Sequence, residues 1–198
     1  MKFNITFGLF EKVLCSMIKR EVSDKDVIKE IKREYRAVID RAGDIGSDNT
    51  LLASYALAAF FIAMNRKDNK SADENIEILS SNMQTNKLVK TFLGGDADTY
   101  FSDKKMAFRR EWSKKTHERK YEDDWVVDVI EKDDKYDMGL DYTRCGVCEM
   151  CKKEGCFEWA QYLCRLDFML VEMIGIRLDR KGTLAQGADK CDFRFKKQ

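Results

Sequence analysis

The chain has 198 residues, long enough to bury a core without metal or disulfide staples. Lys and Arg total 36 and Asp and Glu 35, so the formal charge of +1 lacks the basic surplus of a nucleic-acid-binding protein. The longest apolar run, 51–64, falls short of the roughly 20 residues a membrane helix needs and reads as a buried helix.

Residues 1–120 read as a helical region packed on the rest, and 121–198 as an α+β region. Phe10, Val13, Leu14, Met17 and Ile18 follow helical spacing. Ser23 with Asp26 predicts the start of a second helix, striped by Val27, Ile31, Tyr35 and Val38. Gly43 and Gly46 break it. Asp48, Asn49 or Thr50 is the expected cap of the apolar helix at 51–64, whose only interruptions are Ser54 and Tyr55. Ser71 and Glu74 form a second capping box ahead of Ile76, Leu79 and Met83, and Gly94-Gly95 ends that region. Phe101, Lys105, Phe108 and Trp112 predict a further amphipathic helix with a basic outer face through Arg119.

Near residue 124 the period changes from 3.6 to 2. Trp125, Val127 and Val129, then Tyr136, Met138, Leu140 and Tyr142, alternate with mainly polar residues about the turn 132–135, which predicts a hairpin. Helices are expected at about 144–154, ending near Gly155, and at about 157–173. A second hairpin closes the chain, with Ile176, Leu178 and Arg180 on one side of its first strand and Cys191, Phe193 and Phe195 on one side of its return. Strands in antiparallel pairs separated by helices predict an α+β fold, an antiparallel sheet packed on helices.

Six of the seven cysteines follow residue 144. Clustering of this kind suits reduced thiols in a cytoplasmic setting rather than a disulfide scaffold. Nor does the segment from Met1 to Lys12 show the small-residue cleavage site of a secretory signal. Cys145, Cys148 and Cys151, with Cys156 beyond, have a spacing reminiscent of an iron–sulfur or zinc ligand set. Yet no Cys-Pro is present, and the segment reads as helix rather than as a loop wrapped round a metal. Buried structural thiols and redox use remain the alternatives. Cys164 and Asp167, three residues apart on a helix, share a face and can line a pocket edge, with the carboxylate as a proton acceptor. The closing hairpin carries Arg177, Arg180, Thr183, Gln186, Gly187, Cys191 and Arg194. A guanidinium there can fork onto a carboxylate, or simply pair with Asp across the strands. With a single histidine, His117, a three-His zinc site is excluded, and any role as a catalytic base lacks a positioned partner.

Taken in order, Tyr142-Thr-Arg-Cys145, Cys164-Arg-Leu-Asp167, Gly182-Thr-Leu-Ala-Gln-Gly187 and Cys191-Asp-Phe-Arg-Phe195 resemble the L-2-amino-thiazoline-4-carboxylic acid hydrolase family. Against that pattern Cys148, Cys151 and Cys156 are additional, and Lys181 replaces an expected threonine. The resemblance implies hydrolytic opening of a cyclic amidine, 2-amino-thiazoline-4-carboxylate, to N-carbamoyl-cysteine on a bacterial route to cysteine, with no cofactor. It further implies Asp167 as general base or as the group that orients an attacking water, Cys164 as nucleophile or pocket wall, and Cys145 or Cys191 as a second thiol, with thiolate attack and direct attack by water both open. Arg177 or Arg180 would clamp the substrate carboxylate, and Thr183, Gln186 and the Gly187 amide would donate hydrogen bonds at the reacting carbon. The expected partner is thus a small-molecule carboxylate, with neither nucleic acid nor membrane, and the helical half either lids the pocket or forms a homodimer surface. Two other readings stand beside this one: a non-catalytic small-molecule sensor of the vinyl-reductase type, which the order of hairpins and helices also resembles, and a metal protein ligated by Cys145, Cys148, Cys151 and Cys156.

Overall fold

The computed structural model describes residues 1–46, 50–93 and 95–198. Among the described residues seven helices come first: α1 (Ile5–Ile18), α2 (Lys25–Arg41), α3 (Leu52–Lys67), α4 (Ala72–Gln84), α5 (Lys87–Phe92), α6 (Ala97–Phe101) and α7 (Asp103–His117). Strands β1 (Val126–Ile130) and β2 (Met138–Arg144), helices α8 (Gly146–Lys153) and α9 (Ala160–Glu172), and strands β3 (Ile176–Asp179) and β4 (Cys191–Lys197) follow. The fold is α+β, in the order the hydrophobic periods predict.

Local chemistry sets the helix starts. Ser71 and Glu74 close the expected capping box at α4. At α2 the cap is Asp24 rather than Ser23, its carboxylate accepting from the amides of Asp26 and Val27. A carboxylate there also meets the positive end of the helix dipole, which a serine hydroxyl does not. The segment expected to run on to Gly94-Gly95 divides instead, because Asn86 accepts from the Leu88 amide at 2.9 Å and starts α5. The expected caps Asp48 and Asn49, and Gly94, lie outside the described residues.

The strands form one antiparallel sheet in the order β1-β2-β4-β3. Cross-strand partners share a face. Val127 opposes Tyr142, Tyr142 opposes Cys191, Leu140 opposes Phe193, and Met138 and Leu178 oppose Phe195. All of these lie on the apolar face. The other face carries Asp128, Asp141, Asp192 and Arg194, and there the Asp141 carboxylate accepts from Lys190 at 2.6 Å and Arg194 at 2.7 Å. Burial would raise the pKa of Asp141, but these two cations outweigh it and hold the carboxyl below its usual range.

Helix α7 departs from the expected stripe. Phe108 is 54% exposed, and Met106, Ser113 and Thr116 are buried instead. The reason is the edge strand. Ser113 donates to the Val127 carbonyl at 2.7 Å, and the Val127 amide donates to Thr116 Oγ1 at 3.1 Å. Two small hydroxyl residues thus satisfy backbone groups that an open sheet edge leaves unpaired, which a Phe108 face could not do.

One apolar cluster joins α1–α4 to α8 and α9; a smaller one lies under the sheet, against α6, α7 and the end of α9. Tyr142 packs against both. The halves are pinned together by Asp123, whose side chain is fully buried. Its carboxylate accepts from the Gly43 amide at 2.8 Å and the Tyr55 hydroxyl at 2.9 Å, and lies 2.8 Å from the Lys153 ammonium. A Cβ at Gly43 would stand 2.3 Å from the Asp123 carboxyl carbon. Asp123→Ala is therefore expected to lower unfolding free energy by on the order of 3 kcal/mol in urea denaturation. Gly43→Ala should act in the same direction by expelling the carboxylate. Wild-type midpoints for both variants would show that the junction carries no stability.

Candidate active site

A cavity of about 140 Å³ opens where the two clusters meet. Strand β2 delivers Cys145 to it as the residue that caps α8. Helix α9 contributes Cys164 and Asp167, three residues apart and on one face. Cys191 and Phe193 enter from the apolar face of β4, beside Tyr142. Ser54 and Leu57 of α3 close the side toward the helical half.

The thiols differ sharply. The Cys148 thiol, and then the backbone N–H groups of Cys148 and Val147, hold Cys145 below the usual thiol range. Burial works against them and is outweighed. Cys148, the proton donor of the pair, is pushed up, first by that hydrogen bond and then by burial. Burial, with the Asp167 charge next, pushes Cys164 well above the usual thiol range. Burial raises Cys191 to about 11, while the Leu184 amide, donating to its sulfur at 3.2 Å, pulls the other way. Of the thiols lining the cavity, Cys145 is the one whose surroundings favour thiolate.

Asp167 is raised to about 6 by burial, with Arg180 opposing the rise. A third of its side chain (34%) is still accessible, and that surface borders the cavity. The Arg180 side chain is only 6% exposed. Its guanidinium donates to Asp167 and, at 2.8 Å, to the Cys164 carbonyl, and it lies 4.8 Å and 4.9 Å from the ring centres of Phe168 and Phe193. The period-2 pattern puts Arg180 on the apolar side with Ile176 and Leu178, and its charge there is compensated by Asp167 and by two ring faces.

Arg180 itself, and the remaining residues expected at the site, are not among those lining the cavity. Arg177 is exposed and donates to Asp179 at 3.3 Å. Thr183 is buried, its hydroxyl donating to the Gln186 side chain at 3.1 Å. Gln186 is exposed in the turn Leu184–Gln186, and Gly187 ends that turn at φ 85°. This loop acts on the cavity indirectly, through the Leu184 amide on Cys191. Asp192 anchors the loop by accepting from the Lys181 amide at 2.9 Å and the Gly182 amide at 3.0 Å. His117 pairs with Asp128 at 2.9 Å on the polar face of the sheet. Among the described residues no group of three or more His, Cys, Asp or Glu is placed to hold a metal. The four cysteines of the metal reading divide into two hydrogen-bonded thiol pairs, Cys145 with Cys148 and Cys151 with Cys156.

Residue spacing did not single out Ser54, Leu57, Tyr142, Trp125 or Phe193 as site residues. Ser54 was visible as a polar interruption of an apolar run. Tyr142 and Phe193 follow from register once Cys191 is placed.

The model of the L-2-amino-thiazoline-4-carboxylic acid hydrolase family matches residues 49–195. The chain belongs to this family. No curated protein matches it. The stretch shared with the L-2-amino-thiazoline-4-carboxylic acid hydrolases holds every residue that lines the cavity, from Leu51 to Phe193, and omits α1 and α2. No described helix is long and apolar enough to cross a membrane. Brief iodoacetamide labelling at neutral pH, read by peptide mass spectrometry, should modify Cys145 ahead of Cys164 and Cys191. First modification at Cys164 would contradict the ordering of the thiols.

Proposed function

We propose that the protein hydrolyses a small cyclic amidine bearing a carboxylate, as in 2-amino-thiazoline-4-carboxylate to N-carbamoyl-cysteine. The observation that carries this reading is the meeting of Cys145 and Asp167 in one cavity built from the stretch the family shares. The electrophile is the ring carbon between sulfur and nitrogen. In the proposed course the Cys145 thiolate bonds to that carbon, and the carbon–sulfur bond of the ring breaks. The ring sulfur leaves as a thiolate and takes a proton, so Cys145 carries an isothiourea. Asp167 then accepts a proton from water as the water adds to the same carbon. Collapse expels the Cys145 sulfur and leaves the urea carbonyl of N-carbamoyl-cysteine. One water is consumed and no electrons are lost or gained.

In this assignment Cys164, with its thiol pushed up, is pocket wall. Arg180 holds Asp167 in the cavity, and a substrate carboxylate reaching the same guanidinium would compete with Asp167 for it. Arg177, turned toward Asp179, is not given a role.

The sign of the pH dependence follows from Asp167, which must be ionised to accept a proton. Product formation should rise with pH through about 6. In Arg180→Gln the limb should move to higher pH, because the guanidinium is the group that lowers the Asp167 pKa. Cys145→Ser and Asp167→Asn should each lower kcat by about a hundredfold or more, while Cys164→Ala keeps most of the activity. An assay of carbamoyl-cysteine release checks all four variants. Undiminished turnover by Asp167→Asn would remove that carboxylate from the mechanism. Tight binding of the ring compound without its consumption by the wild-type protein would favour the sensor reading.

A further inference from the structure

A second cavity, of about 240 Å³, adjoins the first. The two share Ser54, Leu57 and Leu170 as walls. Beyond that wall the lining changes character. Leu14 and Met17 of α1, Met83 of α4 and Val89 of α5 present only hydrocarbon and thioether, and Ser54 is the one polar side chain among the described residues of the lining. Native interiors leave few voids, since unfilled surface forfeits dispersion contacts. Yet Leu14, Met17, Leu57 and Met83 are core side chains that border this one. Leu88, which also lines it, is 67% exposed and marks the way in from solvent. Its α1 wall lies outside residues 49–195, so the cavity is not built wholly from the stretch the family shares.

We infer that the second cavity is a substrate subsite for an apolar extension of the ligand whose polar head sits among Cys145, Cys164 and Asp167. The occupant is an alkyl chain or comparable apolar group, joined past Ser54 to the reacting ring. The inference rests on the reaction proposed above and narrows its substrate class to amphipathic amidine carboxylates. Adjacency to the thiol-and-acid cavity, across the shared residues Ser54, Leu57 and Leu170, is the reason for choosing a ligand tail over a second protein. The common wall places an apolar group there within reach of a head group bound next door, and ligand sites characteristically combine an apolar lining with a few polar groups.

The test compares turnover of 2-amino-thiazoline-4-carboxylate with that of derivatives bearing butyl, hexyl or octyl on the exocyclic amine. The specificity constant kcat/KM is expected to rise about three- to fourfold per methylene until the cavity is full. Val89→Phe and Leu14→Phe narrow only the second cavity. Either should flatten the series and leave the unsubstituted ring turned over as by wild type. Val89 lies in a short, partly exposed helix, so its variant is expected to fold even where Leu14→Phe does not. A flat or falling series, with the unsubstituted ring still consumed, overturns the inference and leaves the reaction standing. Calorimetric titration with hexanoate, octanoate and decanoate separates the opposite case. Affinity that grows with chain length and is lost in Val89→Phe, without turnover of any ring compound, would sink the reaction and retain the apolar subsite. Absence of chain-length dependence in both assays sinks the subsite. Concentration-dependent self-association abolished by Leu88→Asp, together with a flat series, would assign the apolar surface to a second copy of the chain and overturn the inference.

Discussion

The structure turns on a carboxylate that never reaches solvent. Asp123 sits at the start of the sheet region and receives hydrogen bonds from Gly43, after α2, and from Tyr55, within α3, while Lys153 approaches from α8. A buried charge is costly unless it is paired and hydrogen-bonded, so this arrangement is close to all-or-none. Consequences spread from it to the site. Tyr55 packs edge-on against Trp125 at 6.0 Å, and Trp125 is a wall of the reactive cavity. Gly146, the first residue of α8, lies so near that a Cβ there would stand 2.4 Å from the Asp123 carbonyl oxygen. The helix whose N-terminus faces the Cys145 sulfur is therefore set in place by contact with the Asp123 backbone.

A second clamp acts beside it. Glu154, at the end of α8, accepts from Arg41 at 2.9 Å and Arg66 at 2.7 Å, and Glu34 joins the same cluster. The second clamp ties α8 to α2 and α3, and the first joins all three to Asp123, just ahead of β1. Cys145, at the junction of β2 and α8, is thereby held against the helical half, while the acid and guanidinium come from α9 and the closing hairpin. Chemistry that needs Cys145 and Asp167 together depends on the seam between those groups staying closed.

Two aspartates show how one sheet divides its electrostatics. On the polar face Asp141, between Arg194 and Lys190, is held below the usual carboxylate range. On the apolar side Asp167 meets a single guanidinium and is raised to about 6. Each carboxylate is governed by its count of cations against its loss of water. The same comparison separates Cys145, where the Cys148 thiol and two backbone amides outweigh burial, from Cys164, where burial and the Asp167 charge act together.

Hydrophobic period and capping chemistry determine much of this protein by sequence alone. They set the helix order, both hairpins, the inward alternation of Cys191, Phe193 and Phe195, and the shared face of Cys164 and Asp167, because these depend on neighbours a few residues apart. The family is legible too, in the ordered motifs of the final third. Partners distant in the chain were not legible. Phe108 was expected inward and is not, since the edge of β1 required the hydroxyls of Ser113 and Thr116. The period-2 pattern separated Arg177 from Arg180, but the pairing of Arg180 with Asp167, which takes up the guanidinium offered as an anchor, was not legible. Only the tertiary structure decided which thiol is favoured as thiolate, and that α3 walls the cavity. Field, burial and enclosure are properties of what surrounds a group in space, and chain order does not record them.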